Sequence, residues 1–169
     1  MSEKFQSKID QFDGDLWGFH FKVEKSIAEK LIDGKNRRVV CTINNSHSYQ
    51  CGLMPYGDGD YFINVNKTIR TKLNLSEGSK VDIVLEKDES KYGLPMPEEF
   101  EEVLNQDKKA NKYFHELTPG KQRTLLYIAS NPKNTDKRIR KAFIIAEHLK
   151  FNSGKIDYRQ LNSELKQKL

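Results

Sequence analysis

Residues 19–43 read FHFKVEKSIAEKLIDGKNRRVVCTI, and residues 61–85 read YFINVNKTIRTKLNLSEGSKVDIVL. Shifted by 42 positions, the two stretches align over 25 residues without a gap, six of them identical. Phe19, Phe21 and Val23 fall on Tyr61, Ile63 and Val65. Lys25 and Ile27 fall on Lys67 and Ile69, Lys30 and Leu31 on Lys72 and Leu73, and Val39, Cys41 and Ile43 on Val81, Ile83 and Leu85. Identities alone can arise by chance. Here the apolar period keeps step with them, which marks an internal repeat, and a repeat decides the fold before any local motif does.

Each copy changes period twice. Phe19, Phe21 and Val23 alternate, as do Tyr61, Ile63 and Val65, which half-buries a strand. Val23, Ile27 and Leu31 are then four apart, as are Val65, Ile69 and Leu73, so they share one face of a helix of about two turns. Gly34 and Gly78 mark the loops that follow, and 38–43 and 80–87 return to strand composition. Two further strands are expected: residues 4–12, with Phe5, Ile9 and Phe12 facing inward, and Ser48–Leu53 after the Asn44-Asn45-Ser46 turn. The turn at Tyr56-Gly57-Asp58-Gly59 leads into the second copy. Two strand–helix–strand copies in one chain predict a small pseudo-twofold β-barrel, because closure removes exposed edges.

The second half reads as all helix, so the fold class is α+β: a barrel over 1–90, a linker over 91–97 and a helical domain over 98–169. Pro95-Met96-Pro97 marks the boundary, since prolines oppose both helix and ladder. Glu98–Asn105 carries its carboxylates at the N-terminal end, where the helix dipole favours them. A second helix covers about 107–117, with Ala110, Tyr113, Phe114 and Leu117 on one face. Thr118-Pro119 caps and starts a third, which runs to about Ser130 and buries Leu125, Ile128 and Ala129. Thr135 is expected to cap a fourth over 136–151, burying Ile139, Ala142, Phe143, Ala146 and Leu149. A last, exposed helix is expected over 157–168.

The chain of 169 residues is long enough to build its own core. Its hydrophobic share of 36% and mean hydropathy of -0.77 are polar for a globular protein but not disordered. No apolar run reaches the roughly 18 residues a membrane span needs. The start, MSEKFQSKID, lacks the apolar stretch of a secretory signal. Cys41 and Cys51 are too few for a disulfide scaffold or a four-cysteine zinc site, so a cytoplasmic protein is expected.

The formal net charge of +5 is unevenly placed. Residues 1–96 hold 14 basic and 14 acidic side chains, whereas 108–141 hold ten basic against Glu116 and Asp136, a net of +8. Lys121 and Arg123 lie near one helix start, and Arg138, Arg140 and Lys141 near the next. Arginine offers a planar donor fork to phosphate or carboxylate, and helix starts add backbone donors. These five residues are the candidate surface for an anionic ligand or a protein partner, provided Arg138 and Lys141 stand open beside Lys121 or Arg123. The bland alternative sets them against Glu98, Glu99 and Glu102. No metal, cofactor or catalytic group is expected. His20, taken to point outward, His47, His115 and His148 have no ligand spacing between them. Cys41 falls on an apolar position of the repeat, and Cys51 has no basic neighbour to activate it. Tyr56-Gly57-Asp58-Gly59-Asp60 lacks phosphate-loop and calcium-loop spacing and reads as a hairpin turn.

The second repeat copy, Ile63 to Arg70 through Glu77 to Val81, resembles the strand–helix–strand unit of AbrB-like transition-state regulators and antitoxins. Those build a double-split barrel from two chains; duplication implies one chain and a monomer here. Three barrel stretches carry a resemblance to an N-terminal barrel domain of unknown function: Arg38-Val39-x-Cys41-Thr42-Ile43-Asn44, Leu53-Met54-Pro55-x-Gly57-Asp58-Gly59-x-Tyr61, and Ile69-Arg70 with Glu77-Gly78 and Val81. Phe114-x-x-Leu117-x-Pro119-Gly120-Lys121-x-Arg123, Tyr127-Ile128 and Thr135-x-x-Arg138-Ile139-Arg140-Lys141 resemble the YdeI/OmpD-associated, bacteriocin-protection type of domain. The resemblance covers about residues 4–150 and implies a non-enzymatic binding protein linked to stress or envelope protection. Nucleic-acid binding is the alternative, suggested by the regulator-like barrel and the basic helices, although the neutral barrel lacks the positive excess that phosphate contacts need.

Overall fold

Both copies of the repeat form strand, helix and strand in a computed structural model that describes residues 1–13 and 18–169. The chain divides into two units, Met1–Glu89 and Ser90–Leu169. In the first, β1 (Ser2–Gln11) precedes the first copy: β2 (Phe19–Val23), α1 (Lys25–Leu31) and β3 (Arg38–Ile43). Next come β4 (His47–Gly52) and β5 (Met54–Pro55), then the second copy: β6 (Tyr61–Asn64), α2 (Lys67–Leu73) and β7 (Lys80–Lys87). Asn66 starts α2 by accepting from Ile69 N–H at 2.9 Å, a side-chain cap that replaces a missing helical partner.

All the strand pairs are antiparallel, and their registers express the repeat. The β2–β6 ladder sets Phe21 opposite Ile63, and the β3–β7 ladder sets Thr42 opposite Val84. Each pair joins equivalent positions of the two copies, which is the condition for an approximate twofold axis through an antiparallel ladder. β1 changes partner along its length, with Ser2–Lys8 beside β7 and Ile9–Gln11 beside β2. β4 and β5, separated only by Leu53, do the same for β3 and β6. At these switches Ile9 N–H donates to Ser79 O and Leu53 N–H to Arg37 O, both at 2.9 Å. The sheet order is β4-β3-β7-β1-β2-β6-β5. Its two end strands are therefore consecutive in sequence, and the sheet curls into a barrel to bring them together. The Tyr49 hydroxyl donates to Asn64 O across that approach at 3.2 Å.

Ile9, Phe21, Val23, Val39, Cys41, Ile63, Ile83 and Leu85 fill the interior, joined by Ala28 and Leu31 of α1 and Ile69 of α2. Period-2 alternation sends His20, the neighbour of Phe21, to the other face. On that outer face His20 is nonetheless covered, only 1% exposed. Phe12, expected inward, instead stacks on its ring at 3.7 Å between centroids. Tyr56 and Phe62 lie 5.7 and 5.6 Å away. Among the described residues His20 Nδ1 has no hydrogen-bond partner. Phe12 and Tyr56 flank the two strand switches alike, and His20 and Phe62 are equivalent in the repeat. The outer cluster therefore repeats the symmetry of the barrel, with an imidazole where the second copy has a phenyl ring.

The second unit holds α3 (Glu98–Gln106), α4 (Lys108–Glu116), α5 (Pro119–Ser130), α6 (Thr135–Phe151) and α7 (Tyr158–Lys168). Asn134, not Thr135, caps α6, accepting from Lys137 N–H at 3.0 Å. α6 packs against α3, α4, α5 and α7. Phe100 and Phe114 meet edge to face at 5.3 Å in the core beside Leu125, Leu126, Ile145 and Leu149. Two expectations change. Residues 91–97 are not a free linker, since Tyr92, Leu94 and Met96 pack on this core. α7 is not simply exposed, since it buries Leu161 and Leu165. Gly154 ends the α6 turn at φ +81, and a Cβ there would stand 2.8 Å from Tyr113 Cδ1, so both backbone and space require glycine.

Candidate partner-binding groove

The five basic candidates lie on α5 and α6 but do not form one open patch. Arg138 is committed within the fold. Its Nε donates to Glu99 Oε1 at 2.9 Å, one terminal nitrogen donates to Pro132 O and Lys133 O at 3.0 and 2.7 Å, and the other donates to Thr135 Oγ1 at 3.2 Å. This one side chain ties the α5–α6 loop to α3. The pair is charge-assisted: the guanidinium holds the Glu99 carboxyl below its ordinary range, and Glu99 raises Arg138 in turn. Lys141 leans onto α5 and donates to Ile128 O at 3.3 Å, and partial burial lowers its pKa. Lys121 and Arg140 are exposed and Arg123 is partly buried. An anion surface requiring Arg138 and Lys141 open to solvent is therefore corrected: Arg138 takes the acidic partner that the bland alternative assigned it.

The structure places a different feature beside that ion pair. Ile139 and Phe143, expected in the buried stripe of α6, are 38% and 52% exposed. They line a cavity of about 450 Å³ together with Val103, Gln106 and Thr135 and with Glu98, Glu99 and Glu102 of α3. The groove has an apolar floor and one acidic wall. Glu99 is spoken for by Arg138, and Glu102 accepts from Gln106 Nε2 at 2.7 Å, but both Glu98 and Glu102 remain exposed. α3 and α6 run the same way here: Glu99 meets Arg138 near their starts, and Asp107, just past α3, meets Lys150 at 2.7 Å. Glu98 and Glu102 thus follow each other along one wall with the i, i+4 spacing that Ile139 and Phe143 have along the floor.

The sequence carried a signal for this groove. Ile139, Ala142, Phe143, Ile144, Ile145, Ala146 and Leu149 are more apolar side chains than one helical stripe can hold, so some had to lie outside it.

The remaining candidates have local roles. Tyr92 Oη donates to His115 Nε2 at 2.7 Å while His115 Nδ1 donates to Asn111 O at 2.9 Å, beside a cavity of about 380 Å³ that Lys91, Glu101 and Asn105 also line. Buried His148 accepts the Asp157 N–H at Nε2, 3.2 Å, and gives its Nδ1 hydrogen to Glu164 at 3.0 Å. The Asp58–Asp60 hairpin is occupied by Lys22, at 2.8 and 2.9 Å, and this contact holds both carboxyls below their ordinary range. Cys41 is buried, and the Cys51 thiol is pushed up by its contact with Cys41 and by burial, which disfavours a nucleophilic thiolate. Among the described residues, no three His, Cys, Asp or Glu side chains gather as a metal site would need, and no helix is long and apolar enough to cross a membrane.

Fold and residues now meet the known families. Residues 94–150, which include the groove, match the family model described as Bacteriocin-protection, YdeI or OmpD-Associated (OmdA). Residues 5–85 match a domain of unknown function, DUF1905. The chain is a two-domain protein, a DUF1905 barrel followed by an OmdA helical domain. It matches none of the curated proteins.

Proposed function

We propose that this chain is a non-enzymatic interaction protein that contributes to protection against bacteriocins or related envelope stress, and that its helical unit makes the contact. The observation that carries this reading is the α3–α6 groove, where Phe143 forms part of an apolar floor and stands 52% exposed instead of joining the core. An apolar patch rimmed by polar residues is characteristic of an interaction site. The description of the OmdA family supplies the biological setting. We read the working form as a monomer, because both repeat copies of the barrel come from one chain and no strand has to be borrowed. The test is survival of bacteria lacking this gene and complemented with the wild type or with Phe143→Glu, under bacteriocin challenge. The wild type is expected to protect and the variant to fail at equal protein level; equal protection by both would overturn the reading.

Nucleic-acid binding through the barrel and the basic helices is the second reading, favoured by the exposure of Lys121, Lys137 and Arg140. It requires affinity for DNA that falls steeply between about 50 and 200 mM salt. Salt-independent or undetectable binding would remove it.

A further inference from the structure

The geometry points to a basic amphipathic helix, a segment of a partner protein with Lys or Arg along one edge of an aliphatic stripe, as the occupant of the α3–α6 groove. This inference rests on the groove being the contact surface and adds the chemistry of what fills it.

Three observations select that occupant. The first is length. From Thr135 to Phe143 the floor covers nine residues of α6, a rise of about 12 Å at 1.5 Å per residue. That accommodates about two turns of a helix, and a groove between two helices is a common seat for one. The second is spacing. Ile139 and Phe143 repeat at i, i+4 on the floor, so a helix with aliphatic side chains at i and i+3 or i+4 meets them in register. The third is charge. The groove-lining side chains include three carboxylates and no cation, and Glu98 and Glu102 are exposed with the same i, i+4 period as the floor. A basic edge one step round from the aliphatic stripe lies against that wall. The chain as a whole carries +5, so attraction for a cationic segment has to come from this local wall and not from the net field. An acidic helix would meet like charge there, and an apolar helix would leave the wall unmatched.

The test uses the full chain and fluorescence anisotropy with three fluorescein-labelled 14-residue peptides. One is a Leu/Lys helix with Leu at i, i+3 and i+4, one is the Leu/Glu helix of the same pattern, and one is a scrambled Leu/Lys peptide of the same composition. The patterned Leu/Lys helix is expected to bind best and to weaken with salt. Glu98→Gln with Glu102→Gln should weaken it tenfold or more, and Phe143→Ala, or Ile139→Ser if that variant folds better, should do so independently. Circular dichroism confirms that each variant is folded. Equal binding of the Leu/Glu helix or of the scrambled peptide would overturn the inference, as would Gln variants that bind like the wild type. Binding of the Leu/Glu helix that still depends on Phe143 would leave the groove as a contact surface and remove only its cationic partner. If no peptide binds yet Phe143→Glu abolishes protection in cells, the inference falls and the proposed function stands. Concentration-dependent dimers in sedimentation that Phe143→Ala dissolves would assign the groove to a second copy and also overturn it.

Discussion

The barrel and the helical unit handle surplus apolar surface in opposite ways. In Met1–Glu89 the sheet has an inner face sealed by curling and an outer face on which Phe12, Tyr56 and Phe62 close over His20. In Ser90–Leu169 the central helix α6 contacts four neighbours and still leaves Ile139, Phe143 and Phe151 outside. A strand offers only two sides, and a loop returning from a strand switch can cover the second. A helix presents its whole circumference, and covering all of it takes more neighbours than α6 has. The lesson is that apolar content beyond one face has to be traced to a specific cover, and where none exists the surface is available to a partner.

The sharpest way to break this contrast is to damage the cores themselves. Phe21 and Phe100 are fully buried, one in each unit. Phe21→Ala and Phe100→Ala should each cost about 3–5 kcal/mol, from lost transfer energy and the cavity left behind. Urea denaturation reads this as a lower midpoint. A loss below about 1 kcal/mol at either site would mean that its core is less closely packed than the structure describes.

A second prediction concerns the ion pair at the groove's edge. Arg138→Met removes the partner of Glu99 and of two backbone carbonyls, so the variant should be less stable than the wild type, though by less than the core truncations. The pH dependence has a definite sign. Glu99 has its folded pKa lowered, chiefly by the Arg138 hydrogen bond, so its contribution is present at neutral pH. That contribution fades as pH falls below the ordinary glutamate value of about 4.3 and through the folded value. Asp107, lowered chiefly by the Ala110 N–H, acts in the same direction. Thermal midpoints between pH 7 and 3 should fall less in Arg138→Met than in the wild type. Parallel curves would show that the pair contributes nothing to acid sensitivity.

Much of this could be read in the sequence, and the gaps have physical causes. The repeat was legible because period 2 and period 3.6 followed each other twice at one offset, and Pro119 marked the first turn of α5 as its fixed φ requires. The place of His20 was not legible. Alternation assigns a face to a residue but says nothing of what covers that face, and the cover comes from Phe12 and Tyr56 across strand switches. Nor was the partnering of Arg138 decided by sequence. Spacing put Glu99 among the possible partners, but only tertiary structure could choose between it and open solvent. Ile139 and Phe143 satisfied a buried spacing while lying at its margin, where one further neighbouring helix would have covered them.

His20 offers a smaller test in the opposite direction. Its Nδ1 is buried among aromatic rings and unpartnered within the described residues, and its repeat equivalent is Phe62. His20→Phe keeps the ring stack and removes a polar atom that forgoes a hydrogen bond. Relieving such a group should stabilise the barrel by about 1 kcal/mol. A destabilised variant would show that the imidazole makes a polar contact the aromatic cluster does not account for.

The smallest effect belongs to the groove, and its smallness is what matters. Phe143 is half exposed, so Phe143→Ser removes little buried area and leaves no closed cavity. A surface substitution of this kind should shift stability by no more than about 0.5 kcal/mol. The neighbouring buried position gives the control: Ile145, two residues along the same helix, is fully buried, and Ile145→Ala should cost about 2–5 kcal/mol. Urea midpoints for the two variants, taken side by side, measure how far α6 divides between core and outer surface. If Phe143→Ser approached the cost of Ile145→Ala, Phe143 would be serving the fold and the groove would lose its claim to a partner. If it is silent in stability while protection in cells is lost, the side chain is kept outside for contact and not for packing.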